Sequence, residues 1–273
     1  MQISSKSPIG VFDSGLGGLT VVRQLRRRLP RESIVYFGDT GRVPYGTRGP
    51  EVIAAYAREA ERFLLRFDVK LIVAACGTVS SVAAHTGDEL PVPFIGVVNS
   101  AAQAASAATR NGCVGVIGTA ATIRSGAFTR QIQAARPDTR VVSAECSLLV
   151  PLVETGWTDE TDPITQMAVQ RYLAPIKAEG ADCLILGCTH FPVLAPMIAR
   201  EMGGAVALIN TGKTTADAVH DYLSRAGLLG DSDRPEQQYY FSDRGATFSK
   251  TVPALIGEPL DEACLHFISA DSL

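Results

Sequence analysis

Eight apolar runs of strand length punctuate this chain, separated by stretches with helical spacing, and the second four runs repeat the first four in order. Apolar runs without polar alternation belong to strands buried on both faces, and strands separated by helix-length segments pair in parallel through crossovers. The runs are IGVFDS, IVYFGDT, LIVAACGT, PFIGVV, VGVIGT, RVVSAEC, CLILGCTH and AVALINTG. GVFDSG aligns with GVIGTA, VYFGDT with VVSAEC, IVAACGT with LILGCTH, and FIGVV with ALINT. The offsets are 105 between Gly10 and Gly115, 106 between Val35 and Val141, 112 between Cys76 and Cys188, and 113 between Ile95 and Leu208. This ordered duplication predicts an α/β fold: two pseudo-symmetric parallel-sheet α/β domains facing across a cleft. Residues 1–98 plus 211–273 are expected to form the first α/β domain and 99–210 the second.

Composition narrows the function classes. With 273 residues, 46% hydrophobic and 19% charged, the chain can bury a sizeable core. A net charge of −3 argues against nucleic acid or an anionic membrane surface as a partner. The basic run RQLRRRLPRE, on one amphipathic helix, reads as a solvated face. No stretch approaches a membrane span and MQISSKSPIG lacks the apolar segment of a secretion signal, so a cytoplasmic location is expected. With so short an N-terminus, an added activator-binding segment is not expected there.

Six cysteines, none in a C-x-x-C pair, read as reduced thiols in such a chain, and the four scattered histidines show no zinc-finger spacing, so no metal is expected. Two of the cysteines are placed unusually. In open α/β sheets ligands bind beyond the carboxyl ends of the strands, and there Cys76 with Thr78 would face Cys188 with Thr189 and His190. Two facing thiols could form a disulfide, bind a soft metal or transfer protons from opposite sides. The cysteines are far apart in sequence, unlike most redox pairs, and a metal would want further ligands. Proton transfer needs nothing more than the two thiols: one thiolate takes a proton from carbon and the opposite thiol returns one to the other face, which is racemisation or epimerisation. Asp13, Glu154 and His190 are candidate helpers. A protein that binds a ligand in its cleft without turning it over would have no need of paired thiols.

Glycine-rich loops add a second constraint. GVFDSGLGGLT follows a strand and opens a helix, as phosphate cradles do, but the dinucleotide fingerprint fails at Thr20 and Asp13 would oppose a phosphate. A small ligand carrying both charge signs suits it better. ALINTGKTT resembles a nucleotide loop but has Ala207 where glycine is required. Of five lysines only Lys213 follows a strand end, so a pyridoxal cofactor is not expected.

GVFDSGLGGLTV, VYFGDTGRVPYG, AACGTVSS, GVIGTAATIRSG, PLVETG, LILGCTHFP and YYFSDRGATFSK together resemble the bacterial glutamate racemases, cofactor-independent members of the aspartate/glutamate racemase group. The resemblance implies interconversion of L- and D-glutamate, a small-molecule substrate, without cofactor, and supply of D-glutamate for the peptidoglycan peptide. Oligomeric state varies in the group, and a homodimer is compatible with it. Carried over by position, Cys76 is the base toward D-glutamate and Cys188 the base toward L-glutamate. Asp13 and His190 assist, and Glu154 matches a further acidic position. Ser14, Pro44, Tyr45, Gly46, Gly77, Thr78, Thr119 and Thr189 fall at substrate-binding places. The resemblance further implies that the loop glycines let backbone approach the ligand. Two departures stand out: Gly77 replaces the family's usual asparagine, and Asn210 with Thr211 replaces Asp-Ser.

Overall fold

The computed structural model describes residues 3–269. All eight expected runs form strands: β1 (Ile9–Asp13), β2 (Ile34–Gly38), β3 (Leu71–Ala74), β4 (Phe94–Gly96), β5 (Cys113–Gly118), β6 (Arg140–Glu145), β7 (Cys183–Leu186) and β8 (Ala207–Asn210). Two more, β9 (Gln237–Phe241) and β10 (Leu265–Phe267), were not foreseen from the sequence. The strands build two parallel sheets, one ordered β10-β9-β2-β1-β3-β4 and one ordered β6-β5-β7-β8. Without β9 and β10 the two orders are the same, so the fold is two parallel-sheet α/β domains related by the duplication.

Strand register refines the repeat. Gly10 lies opposite Val35 and Ile72, and Gly115 opposite Val142 and Leu184. The equivalence of β1 with β5 and of β3 with β7 therefore holds at the expected offsets. The counterpart of Val35 is Val142 rather than Val141. Likewise Ile95, opposite Val73, matches Ile209, opposite Ile185, rather than Leu208. A slip of one residue matters because it exchanges the two faces of a strand.

Burial follows position in the sheet. β2, IVYFG, sits between β1 and β9 and is buried at every residue, whereas its counterpart β6, RVVSAE, is an edge strand with Arg140, Ser143 and Glu145 less protected or exposed. The helix Leu19–Arg28 buries Leu19, Val21, Val22 and Leu25 and carries Arg26, Arg27 and Arg28 in its last turn, where cations complement the helix dipole. Arg26 pairs with Glu258 and Arg28 with Asp217, consistent with an outer face. At the strand N-termini the fully buried Lys70 donates to Glu32 at 2.5 Å and to the carbonyls of Ser5 and Leu228 at 2.8 and 2.9 Å. Removing one partner of such a pair costs about 3–5 kcal/mol.

The chain passes between the sheets twice, through the helix Val97–Ala108 after β4 and the helix Thr211–Ala226 after β8. These helices pack together, with Ser100 Oγ 3.3 Å from both Thr214 Oγ1 and Thr215 Oγ1. Among the described residues no helix is long and apolar enough to cross a membrane.

Candidate active site

β1, β3 and β7 end at one cleft of about 350 Å³, and both duplicated cysteines line it. Ser14, Pro44, Tyr45, Gly46, Gly77, Thr78, Thr119, Glu154, Thr189 and His190 line it too. Of the residues picked from sequence only Asp13 is absent from the lining. It lies beneath the loop, 1% exposed, with Oδ2 accepting the Gly15 N–H at 3.0 Å.

The Cys76 side is supplied by the six-stranded domain. Cys76, 3% exposed, precedes the short helix Gly77–Val82, and its thiol donates to Ser14 Oγ at 3.4 Å. Burial, reinforced by the charge of Asp13, pushes this thiol up to about 12, so it holds its proton at neutral pH. Burial likewise raises the Asp13 carboxyl, opposed by the positive charge of His190 and by backbone N–H groups.

The Cys188 side is supplied by the four-stranded domain. Cys188 Sγ lies 3.7 Å from His190 Nδ1, and His190 Nε2 lies 3.0 Å from Glu154 Oε1. β7 ends at Leu186, and the turn that follows brings Cys188 and His190 together. Glu154 arrives from the helix Leu149–Glu154. Burial would lower the imidazole pKa, but the bonds to Cys188 and Glu154 outweigh it and raise it to about 10. The result is an imidazolium 3.7 Å from the Cys188 sulfur.

Hydroxyls and a tyrosine complete the walls. Thr78 Oγ1 and Thr119 Oγ1 meet at 3.0 Å across the two domains, and Thr119 continues to Thr122 at 3.0 Å. Tyr45 donates its hydroxyl to Asp39, which also accepts from Arg42 at 2.6 Å and Ser242 at 2.8 Å. Among the described residues no group of three His, Cys, Asp or Glu side chains is disposed to hold a metal ion.

One of the loop glycines is fixed by packing. A Cβ on Gly17 would stand 2.2 Å from Thr189 Oγ1 and 2.6 Å from a His190 ring carbon. Glycine is needed at position 17 so that the loop can pack onto the Cys188 side. Gly77 is equally constrained, because a Cβ there would stand 2.2 Å from the Gly187 carbonyl oxygen of the other domain. The departure at Gly77 thus goes with a close backbone approach across the cleft.

The Asp/Glu/Hydantoin racemase family model matches residues 9–235. The chain belongs to that family. It is 46% identical over 255 residues to the glutamate racemase of Syntrophus aciditrophicus, covering 93% of this chain and 94% of that one. To the glutamate racemase of Neisseria meningitidis serogroup A it is 44% identical over 267 residues, covering 96% and 97%. Among solved structures it is similar to Francisella tularensis glutamate racemase in complex with D-glutamate, with TM-score 0.90, 33% identity and 98% and 100% coverage. Thermus thermophilus glutamate racemase in complex with β-chloro-D-alanine gives TM-score 0.88, 40% identity and 99% and 100% coverage. An enzyme of the racemase family on this two-domain scaffold agrees with the expectation from sequence.

Sequence reasoning missed several members of the site. Val43, Thr47, Ser147, Val150 and Pro151 also line the cleft. Cys146, buried and pushed up to about 12 by burial and by the neighbouring Cys188, sits behind the second thiol. Cys146 and Ser147 follow β6, and their strand-end position was the available signal.

Proposed function

We propose that this protein interconverts L- and D-glutamate without a cofactor, with Cys76 and Cys188 as the two bases. The observation that carries the reading is that thiols at equivalent strand ends of two duplicated domains line one cleft, each with its own helper. Cys188, beside the imidazolium of His190, takes the α-proton of L-glutamate as thiolate. Cys76, held as a thiol, gives its proton to the opposite face, and the C–H bond broken on one side is replaced by one formed on the other. D-glutamate leaves with Cys76 as thiolate and Cys188 as thiol, the state suited to the reverse direction. Asp13 and His190, with Glu154 behind the latter, assist return to the starting protonation state. The α-proton is a weak acid, so the carbanion-like state needs donors aimed at the carboxylate. Ser14, Thr78, Thr119, Thr189 and the backbone at Gly77 and Gly46 are assigned to that task, with Pro44 and Tyr45 shaping the wall.

The reading extends to two finer points. The domains divide as 1–98 plus 211–273 and 99–210, supported by the sheet to which each strand belongs. The product serves peptidoglycan synthesis in the cytoplasm, supported by the resemblance to bacterial glutamate racemases.

Incubation with L-glutamate in D2O tests the reaction. Loss of the α-proton signal by NMR together with decay of circular dichroism toward zero is expected. Absence of exchange with either enantiomer would overturn glutamate as the substrate.

A further inference from the structure

The Cys188 side of the cleft belongs to the four-stranded domain, yet two of its backbone carbonyls are held by the other domain. Thr20, in the first turn of the helix Leu19–Arg28, shares its hydroxyl proton between the Thr189 carbonyl at 2.8 Å and the Gly17 carbonyl of its own loop at 2.9 Å. Thr251, in the helix Phe248–Ile256, donates to the Glu154 carbonyl at 2.8 Å. Both threonines are buried, 7% and 2% exposed. Both bonds span the domain boundary, and both land on the segments that carry the relay from Glu154 through His190 to Cys188. Neither threonine lines the cleft.

We propose that Thr20 and Thr251 are positioning residues that clamp this relay from the opposite domain. A sulfur to nitrogen separation of 3.7 Å tolerates little displacement before the contact is lost. The relay's two ends sit on separate segments, the turn after β7 and the end of the helix Leu149–Glu154. A fixed geometry therefore requires each to be anchored, and these hydroxyls supply the anchors. The Cys76 segment is tied across the domains differently, by the side-chain contact of Thr78 with Thr119 rather than through a backbone carbonyl, and its thiol partner Ser14 lies in its own domain. The inference rests on the two-thiol reading for its catalytic consequence but not for its geometric one.

Thr251→Val removes the hydroxyl while keeping the volume, and Thr251→Ser restores it. At neutral pH, iodoacetamide labelling followed by peptide mass spectrometry is expected to show Cys188 alkylated several-fold more slowly in Thr251→Val, with Cys76 unchanged and Ser restoring the rate. In glutamate racemisation kcat is expected to fall about tenfold with KM within about twofold, as for loss of alignment in the transition state. Thr20→Val, a separate contact, gives the same pattern and keeps the test open should either variant fold poorly. Unchanged Cys188 labelling in both valine variants overturns the clamp, and so does an equal loss at both thiols, which marks general loosening. Wild-type protein that does not racemise glutamate refutes the proposed reaction, while the labelling comparison still decides the clamp.

Discussion

At the ends of β3 and β7 the chain repeats a cysteine, but the neighbours it supplies to the two are not repeated. Around Cys76 stand a serine hydroxyl and a buried carboxyl; around Cys188 stand an imidazole and the glutamate that holds it. Duplication of the strands sets where the thiols lie, and the loops that follow decide which groups surround each. The two substrates of a racemase are mirror images, so equivalent positions are useful. Different surroundings are also useful to the proposed reaction, in which one thiol gives a proton while the other takes one.

Removing one thiol is the most severe test of this difference. Cys76→Ala and Cys188→Ala should each lower racemisation by about 10³-fold or more, with circular dichroism of the protein unchanged. In D2O, Cys76→Ala should still exchange the α-proton of L-glutamate and Cys188→Ala that of D-glutamate. Exchange of the same enantiomer by both variants would break the assignment of sides.

His190→Gln comes next, with an expected loss of roughly 10²-fold and a larger isotope effect on proton removal from L-glutamate than from D-glutamate. Equal isotope effects would mean that the imidazole does not belong to one side. The same variant reports on stability. The His190 pKa is held at about 10 against an ordinary 6.5, so between these values the native state keeps a proton that the unfolded chain has released. Its stabilisation is therefore full below pH 6.5 and is lost as pH rises toward 10. Thermal midpoints of the wild type should fall across that interval more steeply than those of His190→Gln, and parallel curves would remove the imidazolium from the account.

Smaller effects sharpen the comparison. In Gly77→Ala the added methyl meets the Gly187 carbonyl at 2.2 Å, so the domains must shift apart. Overpacking of this kind costs about 1–3 kcal/mol; a lower unfolding midpoint and a raised KM are expected, and wild-type values for both would show that the approach relaxes freely. Ser14→Ala removes a long sulfur contact, and kcat should change by only about fivefold, as for one hydrogen bond. A loss as large as that of His190→Gln would show that the serine does for Cys76 what the imidazole does for Cys188.

Much of this was legible before any coordinates. Unbroken runs such as IVYFG and LIVA announce strands buried on both faces, and a cysteine at each of two equivalent strand ends announces the cleft. β9 was hidden because Gln237 and Gln238 open it with polar groups and its burial is partial. β10 spans only Leu265–Phe267, and His266 stacks on Tyr240 at 4.5 Å where a sequence reader sees a polar interruption. The slips at Val142 and Ile209 arose because Val141 and Val142, and Leu208 and Ile209, are interchangeable to pattern matching, while hydrogen-bond register distinguishes them. Glycines in the loop look alike in sequence, and only the positions of Thr189 and His190 reveal what Gly17 must avoid. Side chains that act through backbone carbonyls of another domain, as Thr20 and Thr251 do, leave no periodic trace at all.

The paired helices through which the chain enters and leaves the four-stranded domain have a mechanical consequence. Two covalent crossings packed on each other tie the four-stranded domain to its neighbour twice in the same place, so the chain's own connections would serve as the axle of any hinge motion between the domains.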